Sequence, residues 1–538
     1  MTNRRSFLTA LGAGYAMANR SWAQSRPTAR DAGASRNSQL FFTAETQYGQ
    51  IQGMANAGIK EFKGIPYGAP TSGKNRFMAP KKPAAWTGVR ECLAYGQISP
   101  QTIASPASDY GQLIQWDLHY GTGMGEDLLT LNVWTPGIKD GGKRAVVVNF
   151  HGGGFATGSG NGPQYDGLQL ARLADVVVVN VNHRLASLGY LHLADLGAPP
   201  EFAHAGVVGM MDLVASLEWV RDNIENFGGD PSKVMIFGQS GGGAKTSTML
   251  AIPSAKGLFH SAGIQSGSTI RSATREQGTK SAELLLAKLG ISKGNIADIQ
   301  KVPWQQILEA QTSLGGSAAF TPVVDGEVLP HHPFDPAAPP ESAEVPVIIS
   351  NTLEDAALRL KNFDLTEEGL RTMLNQRYGA KAETILAMYR NRYPDKSPFL
   401  IQAQIATDST ARRSATLQAE RKAAQGKAPA YMYLWAFASA GFGGKFGAVH
   451  GTDVSATFNN YRDGVGGTGS DEERALWSRF ATTWVTMAKN ANPNNSKIPN
   501  WPAYDATTRA TMIFDKEVRV ENDPRSEIRK FWVDMPSA

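Results

Sequence analysis

The sequence predicts an α/β fold, a mostly parallel sheet wrapped by helices, and three observations predict it. Short apolar runs of the kind buried on both faces recur along the chain, at Ala145–Phe150, Asp175–Val181, Lys233–Phe237, Val345–Ile349 and Tyr431–Phe437. Helical stretches lie between them, the clearest being Gly209–Phe227, whose Leu213, Ser216, Leu217, Val220 and Ile224 share one face. Finally, 538 residues with 42% hydrophobic and 19% charged content supply a sizeable core without an internal repeat or low-complexity tract.

From the N-terminus, Asn3-Arg4-Arg5-Ser6-Phe7-Leu8 is a twin-arginine pattern followed by a weakly apolar run to Ala18. That run is shorter than the roughly 20 residues needed to span a bilayer. Ser21-Trp22-Ala23 offers small residues where a signal peptidase reads, so residues 1–23 are expected to be an export leader. The expected location is the periplasm or beyond, with no stable membrane insertion once the leader is removed. Residues 24–38 are small and polar, and read as a loose linker before a single catalytic domain over 39–538. Alternation and glycines from Leu40 to Met54 predict an antiparallel meander. Residues 270–320 and 360–425 are helix-rich and are expected to be cap insertions.

Charge and cysteine usage exclude several functions. Removing Arg4, Arg5 and Arg20 with the leader takes the net charge from +5 to +2, too little for a nucleic-acid or membrane-surface binder. The lone Cys92 cannot form an internal disulfide and has no nearby histidine, so it reads as a buried, inert thiol. Metal-ligand spacing, dinucleotide motifs and P-loops do not occur, so no cofactor is expected. Nothing in the sequence speaks to oligomeric state.

Two strings carry chemistry. After the run Lys233–Phe237 comes Gly238-Gln239-Ser240-Gly241-Gly242-Gly243 and then a helical stretch from Ala244. With glycine so frequent, G-x-S-x-G alone means little. Its place between strand and helix points to a nucleophile elbow and hence to the α/β-hydrolase fold. Small neighbours let the chain turn sharply and project the Ser240 hydroxyl near a helix N-terminus. The second string, His151-Gly152-Gly153-Gly154-Phe155, directly follows the run Ala145–Phe150. Its glycines let main-chain N–H groups face a substrate oxygen, so Gly153, Gly154 and Gly241 are the expected oxyanion hole.

With these two strings the sequence resembles the type-B carboxylesterase family, which includes cholinesterase-like and lipase-like members, over about residues 45–515. Further strings carry the resemblance: Gly64-Ile65-Pro66-Tyr67 with Arg76-Phe77, Glu126-Asp127-Leu128-Leu129-Thr130-Leu131-Asn132-Val133-Trp134, Asn182-His183-Arg184-Leu185, Phe227-Gly228-Gly229-Asp230-Pro231, Asn490-Ala491-Asn492-Pro493 and Trp501-Pro502-Ala503-Tyr504. It implies a buried Arg76–Glu126 ion pair and a serine esterase acting on a small-molecule ester. The chain departs from the family where a cysteine pair is frequent, having Leu128 and Ser99 instead. It also has Gln239 where glutamate usually precedes the nucleophile and Gly241 where alanine usually follows it.

A serine hydroxyl needs a base. Gly447-Ala448-Val449-His450-Gly451-Thr452-Asp453 follows a predicted strand and resembles the family's catalytic-histidine loop, so His450 is the candidate base and Asp453 a candidate brace for it. His151 reads as a brace for the oxyanion loop, while His183, His331 and His332 have no supporting context. The acid is expected after the run Val345–Ile349, in Ser350-Asn351-Thr352-Leu353-Glu354-Asp355. Ungapped comparison with the family's loop favours Asp355, and Glu354 stays the alternative because glutamate is the usual side chain there. Trp435, Trp484 and Trp501 read as core. The same constellation also serves amide and carbamate hydrolysis, and the fold serves non-catalytic adhesion domains, which typically lose the serine or histidine.

Overall fold

The computed structural model describes residues 40–102, 109–113, 123–315, 319–460 and 469–535. The expected leader, 1–23, and the expected linker, 24–38, lie outside the described residues. Met1–Phe42 and Thr43–Ala538 form separate units; of the first, only Leu40–Phe42 are described, at the start of β1 (Phe41–Thr46).

Twelve further strands follow: β2 (Gly49–Asn56), β3 (Ile59–Pro66), β4 (Val89–Glu91), β5 (Thr130–Thr135), β6 (Arg144–Phe150), β7 (Val177–Val181), β8 (Gly229–Gln239), β9 (Ser261–Gln265), β10 (Val347–Thr352), β11 (Ala430–Trp435), β12 (Ala510–Phe514) and β13 (Arg519–Asn522). Among the described residues they make one sheet, in the order β1-β2-β3-β5-β7-β6-β8-β9-β10-β11-β12-β13, with β4 beside β2. From β7 to β12 every neighbouring pair runs parallel. The β2–β3, β3–β5, β5–β7 and β12–β13 pairs are antiparallel. The expected mostly parallel sheet is therefore present, and the predicted meander extends to Pro66.

The helices used below are α1 (Val208–Asn223), α2 (Gly241–Met249), α3 (Arg275–Lys288), α4 (Trp304–Ser313), α5 (Glu367–Tyr378), α6 (Ala382–Arg392), α7 (Pro398–Thr407), α8 (Arg413–Ala424), α9 (Thr452–Thr457) and α10 (Asp471–Asn490). All five residues expected on the inner face of α1 are buried, and Ile224 lies in a 3-10 turn, Ile224–Phe227, that continues the helix. The segment 270–320 holds α3 and α4 between β9 and β10, and 360–425 holds α5 to α8 between β10 and β11. Between α7 and α8 the chain loosens into a π-helical turn, Asp408–Arg412.

Two elements differ from the sequence expectation for local reasons. Asp175 is not in β7, because its φ of 49° is left-handed and ends the preceding helix. The strand β9, Ser-Ala-Gly-Ile-Gln, lacks an apolar run, yet all five residues are buried between β8 and β10. Burial there is imposed by neighbours, not by composition.

An aromatic core sits where α10 packs on the sheet. Trp435, Trp484 and Trp501 are all buried with Trp477, Phe480 and Phe514, as the sequence reading expected. Edge-to-face pairs such as Trp435–Trp477 at 5.6 Å and Phe480–Phe514 at 4.7 Å hold it together, each worth about 0.5–1.5 kcal/mol beyond burial. A capping box starts α10: the Ser470 hydroxyl accepts from the Glu473 amide, and the Glu473 carboxylate accepts from the Ser470 amide.

Because β6, β8, β9, β10 and β11 run parallel in that order, their C-terminal ends lie along one edge. The loops that leave that edge carry the residues singled out above.

Candidate active site

The chain leaves β8 at Gln239 and enters α2 at Gly241, so one residue makes the turn. Ser240 makes it with φ 60° and ψ −123°, a region an L-residue occupies only at a cost of about 1–3 kcal/mol. The elbow is clamped on both sides of that strain: the Ser240 amide donates to Gln265 O on β9 at 2.8 Å, and its carbonyl accepts from the Ala244 amide at 2.9 Å. The glycine after it lies hard against the neighbouring loop. A Cβ on Gly241 would lie 2.2–2.4 Å from the O, N and Cα of Gly154, so the loop after β6 occupies the space a side chain would need. Gln239 is buried, and its amide nitrogen has no partner among the described residues.

The loop after β6 turns through left-handed glycines, Gly153 at φ 90° and Gly154 at φ 64°. Two of its carbonyl groups are held by the chain: Gly153 O accepts from the Thr157 amide at 3.0 Å, and His151 O from the Lys245 ammonium at 2.9 Å. The Gly152 amide donates to the Tyr165 hydroxyl at 3.0 Å. The amides of Gly153, Gly154 and Gly241 donate to no described residue. His151 is buried with its Nδ1 2.8 Å from Gly152 O, and burial plus the Lys245 charge hold it well below the usual histidine range. That neutral, enclosed ring fits the bracing reading. Lys245, completely buried on α2, has its ammonium pushed well down by burial.

The loops after β10 and β11 bring the histidine and the acids together. His450 Nδ1 is 2.8 Å from Asp355 Oδ1, and both side chains are buried. Thr352 donates from its hydroxyl to the other oxygen, Oδ2, at 3.1 Å. Burial pushes the Asp355 carboxyl up, but the charge and hydrogen bond of His450, helped by the Thr352 amide and Ser266, outweigh it and hold the carboxyl below the usual value. Glu354 faces elsewhere. Its oxygens accept from Lys396, from Gln404 at 2.7 Å and from the Ala448 amide at 2.9 Å, while its own amide donates to Ala448 O at 3.1 Å. The two neighbouring carboxylates thus divide the work: Asp355 meets the imidazole and Glu354 ties down the loop that carries it. A Cβ on Gly447 would meet Glu354 Oε2 at 2.8 Å, which explains the glycine.

Ser240, Gly153, Gly154, His450 and Asp355 line one cavity of about 460 Å³, to which the π-helical turn contributes Thr410 and Ala411. His331 and His332 do not line it. They bond Glu341 and the Ser272 amide, while His183 packs on the His151 ring at 4.8 Å. Asp453 accepts from the Tyr433 hydroxyl at 2.7 Å, deep under the histidine loop, and burial pushes its carboxyl up.

The expected Arg76–Glu126 pair is present and buried, with two bonds of 2.6 Å. Ser99 accepts from the Leu185 amide, and Leu128 is buried in the core. Sequence reasoning missed the fully buried Arg184–Asp212 pair at 2.6 Å, the Lys245 anchor and the Gln265–Tyr433–Asp453 network. Only Arg184 carried a signal, its place in the Asn182–Leu185 string. Cys92 is buried, and its thiol is pushed up to about 12 by burial. Among the described residues there is no cluster of three histidine, cysteine or acidic side chains able to hold a metal. No helix among them is long and apolar enough to cross a membrane.

Comparison with known proteins gives the same class. Para-nitrobenzyl esterase of Bacillus subtilis (strain 168) is 33% identical over 501 residues, 90% of this chain and 97% of that protein. The crystal structure of a Geobacillus stearothermophilus carboxylesterase superposes with a TM-score of 0.78 at 33% identity, covering 91% of this chain and 99% of that one. An esterase from Clostridium hathewayi, described as able to hydrolyze aliphatic aromatic polyesters, gives 0.79 at 29% identity over 91% and 98%. A profile of the carboxylesterase family matches residues 42–532, and the chain belongs to that family of carboxylic ester hydrolases.

Proposed function

We propose that the ester is cleaved by a Ser240–His450–Asp355 triad through an acyl-enzyme. His450 takes the Ser240 proton as the hydroxyl oxygen attacks the ester carbonyl carbon. The oxyanion is held by the amides of Gly153, Gly154 and Gly241. His450 then gives the proton to the departing alcohol, and water releases the acid by the same route in reverse. Asp355 fixes the Nδ1 proton and stabilises the imidazolium, so that the other ring nitrogen does the proton transfer.

The observation that carries this reading is that the strained serine, the 2.8 Å His450–Asp355 pair and the undonated amides of Gly153 and Gly154 meet at one cavity, with the undonated Gly241 amide next in the chain to Ser240. Losing one such amide costs about 2.7–4 kcal/mol in a comparable site, so the main chain of the loop contributes to the rate beside the side chains. Replacing Ser240 with Ala is the test. Turnover of 4-nitrophenyl acetate is expected to fall about 10⁶-fold, and labelling by a fluorophosphonate probe to disappear. Retention of most activity in that variant would refute the assignment.

The Arg4-Arg5 leader supports export to the periplasm or beyond. Replacing both arginines with lysine is expected to leave the esterase in the cytoplasmic fraction.

A further inference from the structure

Resting on that catalytic reading, we propose that Arg359 makes the enzyme selective for esters that keep a free carboxylate, held on the guanidinium while the scissile carbonyl meets Ser240. Arg359 closes the 3-10 turn Asp355–Arg359 that the triad acid opens. At a rise of about 2 Å per residue the two Cα atoms are about 8 Å apart along the axis. Its side chain lines the same cavity as Ser240 and His450.

Among the described residues no hydrogen bond or ion pair engages that guanidinium, whereas the other charges around the site are engaged. Asp355 is taken by His450, and Glu354 by Lys396. Asp408, at the start of the π-helical turn, is taken by Arg525 with bonds of 2.9 and 2.7 Å. The rest of the cavity wall is uncharged, with Ser266, Ser268, Thr410 and Ser414 among its polar members.

Arg359 is exposed, so water solvates a positive charge that no described protein group pairs with, and its planar, two-pronged donor face stays open to a substrate. Its best complement is a planar oxyanion that accepts two parallel bonds, which is a carboxylate. Against water alone such a contact is weak. A substrate that fills the cavity displaces that water, and hydrogen bonds to charged groups then discriminate by about 10- to 100-fold. Two kinds of ester supply the group: half-esters of dicarboxylic acids, with the carboxylate on the acyl side, and esters of hydroxy acids, with it on the alcohol side.

The test compares matched pairs that differ by the carboxylate. Mono-4-nitrophenyl adipate is set against 4-nitrophenyl hexanoate for the acyl side, and 4-acetoxybenzoate against phenyl acetate for the alcohol side. The quantity read is the ratio of kcat/KM, charged over neutral, for the wild type, Arg359→Gln and Arg359→Lys. In at least one pair the ratio is expected to fall about 10- to 100-fold in Arg359→Gln, mainly through KM, and to be partly kept in Arg359→Lys. The pair that responds identifies which side of the ester carries the charge. Ratios that stay within two-fold of wild type in both pairs overturn the proposal while leaving the triad intact. Undiminished turnover of these esters by Ser240→Ala refutes the triad and this inference with it.

Discussion

Gly241→Ala is a demanding perturbation, because it adds one methyl group at the point where elbow and oxyanion loop touch. In the present geometry that methyl carbon would sit 2.2, 2.3 and 2.4 Å from O, N and Cα of Gly154. Comfortable contact begins near 3.5 Å, so the loop must withdraw by about 1 Å. Gly154 is one of the three proposed amide donors, and a misplacement of about 1 Å costs about 10²-fold in rate. Complete loss of one donor sets the upper bound, about 10³-fold, so kcat is expected to fall between those values with KM changing far less. Steady-state kinetics on 4-nitrophenyl butyrate gives both constants. The rate of fluorophosphonate labelling is expected to fall in parallel, because phosphonylation uses the same hole. If Gly241→Ala turns over at the wild-type rate, the loop yields without cost and the tight contact with Gly154 has no part in placing the donors.

Four further outcomes are expected. Asp355→Asn is expected to lower kcat by about 10³- to 10⁴-fold, as loss of the orienting carboxylate does in other triads. Because His450 holds the Asp355 carboxyl below its usual value, the stability it adds is present above about pH 4 and is lost as pH falls toward the lowered native value; urea midpoints of wild type and Asp355→Asn should therefore converge in acid. Glu354→Ala is expected to cost about 1–3 kcal/mol in urea unfolding, because it leaves the Ala448 amide without its carboxylate. With the Cys92 thiol pushed up to about 12, iodoacetamide at pH 8 is expected to modify the unfolded chain and spare the native one, which mass spectrometry reads directly.

What the sequence revealed of the site follows from how local each demand is. Ser240 and His151–Phe155 are legible because a one-residue turn into a helix, and a loop of exposed amides, need glycines at fixed neighbours. The pairing of His450 is a different kind of fact. Glu354 and Asp355 are adjacent and chemically alike, and only the three-dimensional course of the chain sends one oxygen to Nδ1 and the other carboxylate to Lys396 and Gln404. Lys245 illustrates the same limit. A lysine five residues past the serine reads as a solvated helix residue until α2 is seen buried against the loop after β6. The sheet shows the rule in reverse: β6, β7 and β8 announce themselves by valine and isoleucine, while β9 is held as a strand by its two neighbours.

The attachment of Glu354 has a consequence for how such an enzyme changes over generations. One carboxylate joins the backbone that presents the imidazole to Gln404 on α7, the helix leading into the cavity wall, and to Lys396 just before it. Substitutions that reshape that wall to admit a new ester pull on the same tether. Speed and choice of substrate are therefore coupled traits in this scaffold, and a lineage acquiring a new preference is expected to need a compensating change around this one glutamate.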